Sequence, residues 1–191
     1  MRIVGLLAQT RCGIYQFHCN LVRGLAERGC SVTWLCSGLT HARLVATDGA
    51  EPTEGEVVAP DTDDLGIRTR ALVERIEEIS PDAILCHGVG DRIDFNAIRY
   101  MPESIPKALI LHGSTLAVYR CARAVRDYVS TTVAISPRIE QDLVRTYEFD
   151  QKKIRLVPHG IDAAAYADSP IRNSESGPLR ILSHGRIPLS S

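Results

Sequence analysis

The chain has 191 residues, of which 45% are hydrophobic and 24% charged, and its formal net charge at pH 7 is −1. This balance is typical of a soluble globular protein with one sizeable core, and the length is too short for two complete domains. The near-zero charge offers no general attraction to nucleic acid or anionic lipid, so a nucleic-acid partner is disfavoured. No apolar run approaches the roughly 18 residues of a membrane-spanning helix. The N-terminus lacks a secretory pattern, and we therefore expect a cytoplasmic protein.

The first part of the sequence alternates strands and helices as parallel βαβ units do. An apolar strand is predicted over residues 2–8, a polar turn follows up to Gly13, and the next helix carries apolar residues at helical spacing. Gly29 is expected in a left-handed conformation where that helix ends, and residues 32–36 form the next strand. We therefore predict an α/β fold, a Rossmann-like parallel sheet with helices on both faces.

The segment 37–64 is rich in Gly, Thr, Asp and Pro, and only a short strand at 56–59 is predicted there. The alternation then resumes, with a helix, a strand and a second helix predicted over residues 67–80, 83–86 and 92–100. His87 directly follows the predicted strand.

The stretch KALILHGST, residues 107–115, is the most informative part of the sequence. Its apolar run does not alternate, which predicts a strand covered on both faces of a parallel sheet. Ser114 or Thr115 is expected to cap the helix that follows. His112 and Gly113 then lie at the carboxyl end of a central strand, beside a helix N-terminus whose free N–H groups favour anions. Open α/β sheets bind their ligands at that edge.

Two more strands are predicted, over residues 131–135 and 154–157, with a helix at 116–128 before them and another between them. Ser136 and Pro137 suit the N-cap and first position of that last helix. The first of these helices carries arginines at three-residue spacing, and such a stripe is usually a solvated face. The alternative is a surface that faces phosphate or lipid and makes a peripheral membrane contact. These arginines are Arg120, Arg123 and Arg126.

Beyond Asp162 the sequence changes character and contains small polar residues and prolines. We predict an N-terminal domain over residues 1–165, a linker over 166–178, and the first strand of a second domain over 179–191. The rest of that second domain is expected to be absent from the chain.

Six cysteines are spread along the chain without a CxxC pair. Most fall within predicted strands or helices, where a free thiol behaves as a small hydrophobic residue, and this interpretation is favoured over disulfides or a zinc site. Cys12 differs because it lies in a loop beside Gly13. A reactive thiol is the alternative at that position, since a helix N-terminus lowers the pKa of a thiol.

Histidines follow several of the predicted strands, at the ends that meet along one rim of a parallel sheet. They are His87, His112 and His159. A structural role is the simpler interpretation of each histidine alone, since short αβ connections need turn residues. For the rim as a whole, a ligand site is favoured.

Three common site motifs are missing from the sequence. It contains no P-loop, no G-x-S-x-G nucleophile elbow and no H-E-x-x-H helix. Gly88 and Gly90 follow a strand, but Ile93 stands where the third glycine of a dinucleotide-binding loop belongs. A P-loop enzyme is excluded, and an oxidoreductase lacks its glycine signature.

Several short strings, weak one by one, occur in an informative order. They are DAILCH (82–87), LHG (111–113), VAIS (133–136), KIRLVPHGID (153–162) and LRILSHGRI (179–187). Together they resemble the N-terminal half of a glycosyl transferase group 1 protein. This is the retaining glycosyltransferase family 4, whose GT-B fold has two Rossmann-like domains.

The resemblance implies transfer of a sugar from a nucleotide-diphosphate sugar to a small-molecule, glycan or lipid acceptor, with retention at the anomeric carbon. The N-terminal domain holds the acceptor, a C-terminal domain holds the donor, and no metal or cofactor is required. By position, His112 matches a catalytic histidine that touches the transferred sugar, whereas Gly13 and Arg186 match groups at the donor diphosphate. The candidates for binding the acceptor or the sugar are His87, Gly113, Ser114 and Ser136.

The sequence departs from the family pattern at the donor site. Cys12 replaces the first of two glycines in the first loop, and the lysine expected about five residues beyond Arg186 is not seen, nor is the acidic pair of the donor domain. We predict that the chain alone lacks appreciable transferase activity. The alternative function is a non-catalytic sugar- or nucleotide-binding module, or an accessory subunit.

Overall fold

The structure is a computed structural model that describes residues 1–7, 13–37, 55–58, 60–88 and 92–160. Within these ranges the chain alternates strands and α-helices. In chain order they are β1 (Arg2–Leu6), α1 (Gly13–Ala26), β2 (Ser31–Cys36), β3 (Gly55–Val57), α2 (Leu65–Ile79), β4 (Ala83–Gly88), α3 (Arg92–Tyr100), β5 (Lys107–Leu111), α4 (Leu116–Val125), β6 (Thr131–Ala134), α5 (Pro137–Arg145) and β7 (Ile154–Leu156). Two short 3-10 turns, Arg126–Tyr128 and Gln151–Lys153, follow α4 and precede β7.

The strands form one parallel sheet in the order β3-β2-β1-β4-β5-β6-β7. The predicted Rossmann-like α/β fold is therefore confirmed. The direction of winding reverses between β1 and β4, where Leu6 pairs with Cys86. This reversal opens a crevice at the carboxyl ends of the strands, which is where sheets of this kind bind ligands.

Helices cover both faces of the sheet. Side chains alternate along each strand, so Val4 and Leu6 of β1 enter the large apolar cluster that also includes residues of α2 to α5. Leu7 points the other way and packs with Trp34 of β2 and Cys19 of α1. Helix α1 thus lies on the face opposite α2, α3, α4 and α5.

Local hydrogen bonds explain where the helices begin and end. Helix α2 begins at Leu65, two residues before its predicted start, because the Asp64 carboxylate accepts the N–H groups of Gly66 and Ile67. Ser80 adopts a left-handed conformation (φ 50°) that ends this helix. At α4 the cap is Thr115, whose hydroxyl accepts the N–H of Val118.

Two further predicted boundaries were wrong, whereas a predicted left-handed glycine was right. Helix α4 ends at Val125 instead of continuing to 128, and the next three residues form a 3-10 turn. Strand β4 continues to Gly88, so His87 lies inside the strand instead of after it. Gly29 has a φ of +74°, the left-handed conformation predicted for it.

Two arginines of the predicted stripe, Arg123 on α4 and Arg126 in the 3-10 turn after it, contact neighbouring residues. Arg123 lies 3.4 Å from Glu148, and Arg126 donates to the carbonyl oxygens of Tyr147 and Glu148 at 3.1 and 3.3 Å. These contacts tie α4 to the turn before β7, which favours the structural interpretation of these two arginines over a lipid-facing one. No helix among the described residues is long and apolar enough to cross a membrane.

Residues Met1–Gly160 form one compact unit. The predicted boundary at 165, the linker and the strand start at 179 lie outside the described residues, as do Cys12 and Arg186. The five cysteines within the described ranges are free thiols, and Cys19, Cys36 and Cys86 are buried.

Candidate functional site

Four histidine rings form a hydrogen-bonded line at the carboxyl ends of the central strands. Nδ1 of His18 lies 3.0 Å from Nε2 of His87, and Nδ1 of His87 lies 2.9 Å from Nε2 of His112. Nδ1 of His112 lies 3.3 Å from Nε2 of His159. We call these four residues the histidine row. Every link joins Nδ1 of the inner ring to Nε2 of the outer ring.

The parallel sheet brings the two middle rings together. His87 lies on β4 beside the reversal of winding, and Gly88 pairs with Leu111 of β5, so that His112 follows one residue beyond the paired positions. The two ring planes are nearly parallel, at 17°. Adjacent strands of a parallel sheet end at one edge, and this geometry places both imidazoles there.

The inner end of the row depends on a glycine in β1. His18 is fully buried on α1, and a Cβ atom at Gly5 would lie only 2.7 Å from Cε1 of its ring. Glycine therefore admits the imidazole against the strand. The His18 ring meets Trp34 edge-on, at 74° and 6.3 Å between centroids. Its Nε2 atom is buried and has no hydrogen-bond partner among the described residues.

The outer end of the row reaches the surface at His159, which is exposed. The ring of Phe17 stacks on His159 with centroids 4.5 Å apart and planes at 26°. The same ring meets His112 edge-on at 5.0 Å. Phe17 thus lies against the outer half of the row and limits the access of water to His112.

Burial favours the uncharged form of the three inner rings of the row, those of His18, His87 and His112. It lowers the pKa of His18 to about 4. It also lowers the pKa of His112 to about 4, with smaller contributions from His159 and His18. The pKa of His87 lies well below its ordinary value because of burial and the two neighbouring imidazoles. A neutral imidazole has one N–H donor and one lone pair, so each inner ring can donate on one side and accept on the other.

The sequence profile of glycosyltransferase family 4 matches residues 13–165, which include every member of the row. The chain belongs to glycosyltransferase family 4. This membership confirms the resemblance at the level of the family.

Several solved structures share the fold of this chain. A glycosyltransferase from Rickettsia africae aligns with a TM-score of 0.64 at 13% identity, over 87% of this chain and 45% of that one. HepE from Anabaena, in complex with UDP-glucose, aligns with a TM-score of 0.63 at 14% identity, over 87% and 46%. The UDP-GlcNAc 2-epimerase from Neisseria meningitidis, bound to UDP-GlcNAc, aligns with a TM-score of 0.60 at 14% identity, over 82% and 45%.

This family 4 chain spans less than half the length of those solved structures. At such low identity the likeness shows the fold alone, namely one Rossmann-like half of a GT-B architecture. A search of curated proteins found no matching sequence.

The predicted acceptor-side residues Gly113, Ser114 and Ser136 of this family 4 domain lie along the same edge of the sheet. Gly113 follows His112, and a Cβ atom there would meet its nearest neighbour at 3.9 Å, so the position has free space. Ser114 is exposed. Ala134 pairs with Leu111, and Ser136 and Gly113 therefore lie two positions beyond paired residues.

Ser136 also has a structural task. Its hydroxyl oxygen accepts the N–H of Ile139 at 3.3 Å, which is the N-cap predicted for α5. Gly13 begins α1, so its N–H belongs to the unpaired first turn of that helix. The roles assigned to these residues, and to Arg186 outside the described ranges, stay predictions.

His18 and Phe17 were missed in the sequence, although both carried a signal. Phe17 lies three residues and His18 four residues after Ile14, on the apolar stripe of α1, where a buried face is expected. Gly5 stands inside an otherwise apolar strand, and such a glycine marks a close approach of another group. The contact between His18 and Gly5 can be inferred from these two signals only when α1 is known to cross β1.

Within the described ranges, no three His, Cys, Asp or Glu side chains are grouped so that they could hold a metal ion. The imidazole nitrogens of the row face one another in pairs instead. Cys86, close to the row along β4, is buried, and burial raises the pKa of its thiol.

Proposed function

We propose that this chain is the acceptor-side domain of a glycosyltransferase that transfers a sugar from a nucleotide-diphosphate sugar to an acceptor hydroxyl, with retention at the anomeric carbon. The observation that carries the proposal is the histidine row at the reversal of winding, in a chain of glycosyltransferase family 4. Two proteins of the same fold bind UDP-glucose and UDP-GlcNAc, which supports a nucleotide sugar as the ligand class.

The proposed transfer breaks the bond between the anomeric carbon and the diphosphate oxygen, and both electrons leave with the diphosphate. The acceptor oxygen forms its bond on the same face, and its proton passes to the departing phosphate oxygen. A row of neutral imidazoles suits this chemistry, because an N–H at its outer end can donate to a sugar hydroxyl without repelling a cationic transition state. In this proposal the first turn of α1 at Gly13, together with Arg186, stabilises the departing negative charge.

The donor site needs groups beyond the described domain. We propose that a C-terminal domain supplies them, that the 191-residue chain alone is inactive, and that the protein is cytoplasmic. The acceptor, whether a small molecule, a glycan or a lipid, is proposed to lie along the edge formed by Gly113, Ser114 and Ser136.

The test uses a polypeptide that joins this chain to a C-terminal donor domain. It is incubated with UDP-, GDP- and ADP-sugars and candidate acceptors, and the release of nucleoside diphosphate is followed. Proton NMR of the product gives the anomeric configuration. His112→Ala is expected to lower kcat/KM about 100-fold, since it removes a group from the reacting centre.

Val73→Ala is the matched control, because it truncates a core residue of α2 on the opposite face of the sheet and is expected to retain activity. Unchanged turnover in His112→Ala would contradict the assigned role. Tight binding of a nucleotide sugar without transfer to any acceptor would instead favour the non-catalytic binding module.

A further inference from the structure

The links of the histidine row restrict how its hydrogens can be arranged. Each link joins Nδ1 of an inner ring to Nε2 of the next ring outward. One hydrogen must lie in each link, and a neutral imidazole carries a single N–H. Only two arrangements therefore satisfy all three links: every ring has its hydrogen on Nδ1, or every ring has it on Nε2.

The buried end of the row distinguishes the two arrangements. With hydrogens on Nε2, the N–H of His18 would be buried without an acceptor among the described residues. With hydrogens on Nδ1, the same atom is an unpaired lone pair. Buried N–H groups without an acceptor are rarer in proteins than acceptors without a donor, so the Nδ1 arrangement is the more stable one.

In the Nδ1 arrangement, the surface end of the row offers a hydrogen-bond donor. In the Nδ1 arrangement, His159 carries an N–H that no other ring of the row uses, and this residue is exposed. His112 has both nitrogens engaged, by His87 and by His159. In this arrangement a ligand at the edge of the sheet meets His159 before His112.

We infer that His18 and His87 are positioning residues that fix His112 and His159 in the Nδ1–H tautomer, so that the row presents His159 as a hydrogen-bond donor to an oxygen of the ligand. The inference deepens the proposed function and rests on it for the identity of that ligand. The polarity of the row follows from residues of this chain and needs no bound ligand. Phe17 supports it, because its stacking on His159 holds the outermost ring in line.

The first test is the tautomer of each ring in the 191-residue chain. Histidine is labelled with nitrogen-15, and the ring nitrogens are assigned from single histidine variants at pH 7.5. Correlations between ring nitrogens and ring protons distinguish an Nδ1–H from an Nε2–H tautomer. We expect Nδ1–H at His18, His87 and His112, and an Nε2–H tautomer at any of these rings would overturn the inference.

The second test removes the inner partner. In His18→Leu, Nε2 of His87 loses its donor and becomes the buried end of the row. We expect the Nδ1–H tautomer to persist at His87 and His112, and the Nε2 resonance of His87 to move to the position of a nitrogen that accepts no hydrogen bond. An Nε2–H tautomer at either ring would overturn the inference, and an unmoved Nε2 resonance would contradict the link to His18. His18→Asn, whose NH2 group can stand where Nδ1 stood, is expected to restore the hydrogen-bonded resonance. If His18→Leu does not fold, the wild-type tautomers of the first test decide the polarity of the row. Val73→Ala, on the opposite face, is expected to change neither ring.

The third test connects the row to turnover in the polypeptide with the donor domain. His18→Leu is expected to lower kcat roughly tenfold with little change in KM, and His18→Asn to restore most of the loss. A full kcat in His18→Leu would overturn the positioning role in catalysis. If no donor is turned over at all, the proposed function fails, whereas the tautomers still decide the polarity of the row.

Discussion

Polar groups at the two edges of the sheet differ in how they are hydrogen-bonded. At the amino edge, the buried Lys107 donates to the carbonyl oxygens of Pro102 and Ile105 at 2.8 and 3.1 Å, and Arg2 donates through its backbone N–H to the Asp82 carboxylate at 2.6 Å. At the carboxyl edge, the described imidazole links run from ring to ring up to the surface.

This difference separates polar groups that hold the fold from polar groups that are available for chemistry. Hydrogen bonds of the amino edge end on nearby backbone or on a single carboxylate, which satisfies them locally. At the carboxyl edge, the inner imidazoles are buried, which disfavours their protonated form, and His159 at the outer end of the row is exposed. A fully paired buried network fixes one arrangement of its side chains, and apolar residues could often fill the same volume at equal or lower cost in stability.

The largest expected effect is a loss of stability below neutral pH that comes from the carboxyl edge. His18 and His112 have folded pKa values of about 4, and His87 lies well below its ordinary value, so the unfolded chain binds protons first as the pH falls. The contribution of these neutral imidazoles to the free energy of unfolding is complete above the unfolded pKa of about 6.5, and it is lost as the pH decreases toward 4. From pH 7.5 to 5.5 we expect the free energy of unfolding to fall by about 1.4 kcal/mol per histidine, roughly 4 kcal/mol for the three.

Urea unfolding at the two pH values measures this loss. His18→Asn removes one of the three groups, so the decrease should shrink by about a third. Equal unfolding free energies at pH 7.5 and 5.5 would show that the imidazoles are not buried as neutral rings.

The next largest effect is expected at the glycine under the row. Gly5→Ala places a methyl group 2.7 Å from Cε1 of His18, which must move, and we expect a loss of about 2 to 3 kcal/mol. Gly24→Ala is the matched control, since its nearest neighbour is the flexible end of Arg28 at 3.8 Å. The control is expected to stabilise α1 by up to about 1 kcal/mol. Thermal or urea unfolding compares the two variants, and a Gly5→Ala chain as stable as wild type would contradict the packing of His18 on β1.

The smallest effect is expected at the amino edge. Lys107→Met keeps most of the buried side-chain volume and removes two hydrogen bonds to carbonyl oxygens, so we expect a loss of about 1 to 2 kcal/mol. Because no imidazole is touched, the dependence of stability on pH between 5.5 and 7.5 should be unchanged. Loss of the pH dependence in the Lys107→Met chain would mean that the two edges of the sheet are coupled, and would contradict their independence.

Much of this architecture was predictable because it depends on short-range patterns. The unbroken apolar run of β5, the caps at Thr115 and Ser136 and the left-handed Gly29 all follow from local sequence. The meeting of His87 and His112 followed from one further rule, that parallel strands end at a common edge.

The remaining features depend on packing between distant segments, which short patterns do not encode. His18 joins the row only because α1 crosses β1 above Gly5, and the pairing of particular ring nitrogens depends on rotamers set by Phe17 and Trp34. The predicted start of the strand at residue 56 is one residue late, because Gly55 lies against the Trp34 ring, where a side chain would not fit, instead of in a turn.

The closed inner end of the histidine row limits what the row can do. A proton that enters at His159 has no exit beyond His18, whose Nε2 atom contacts no acceptor or donor among the described residues. Within the described residues, the row therefore offers no path for a proton through the domain. Since one hydrogen occupies each link, the rings can change tautomer only together. The four imidazoles therefore share two possible tautomeric states instead of choosing a tautomer independently.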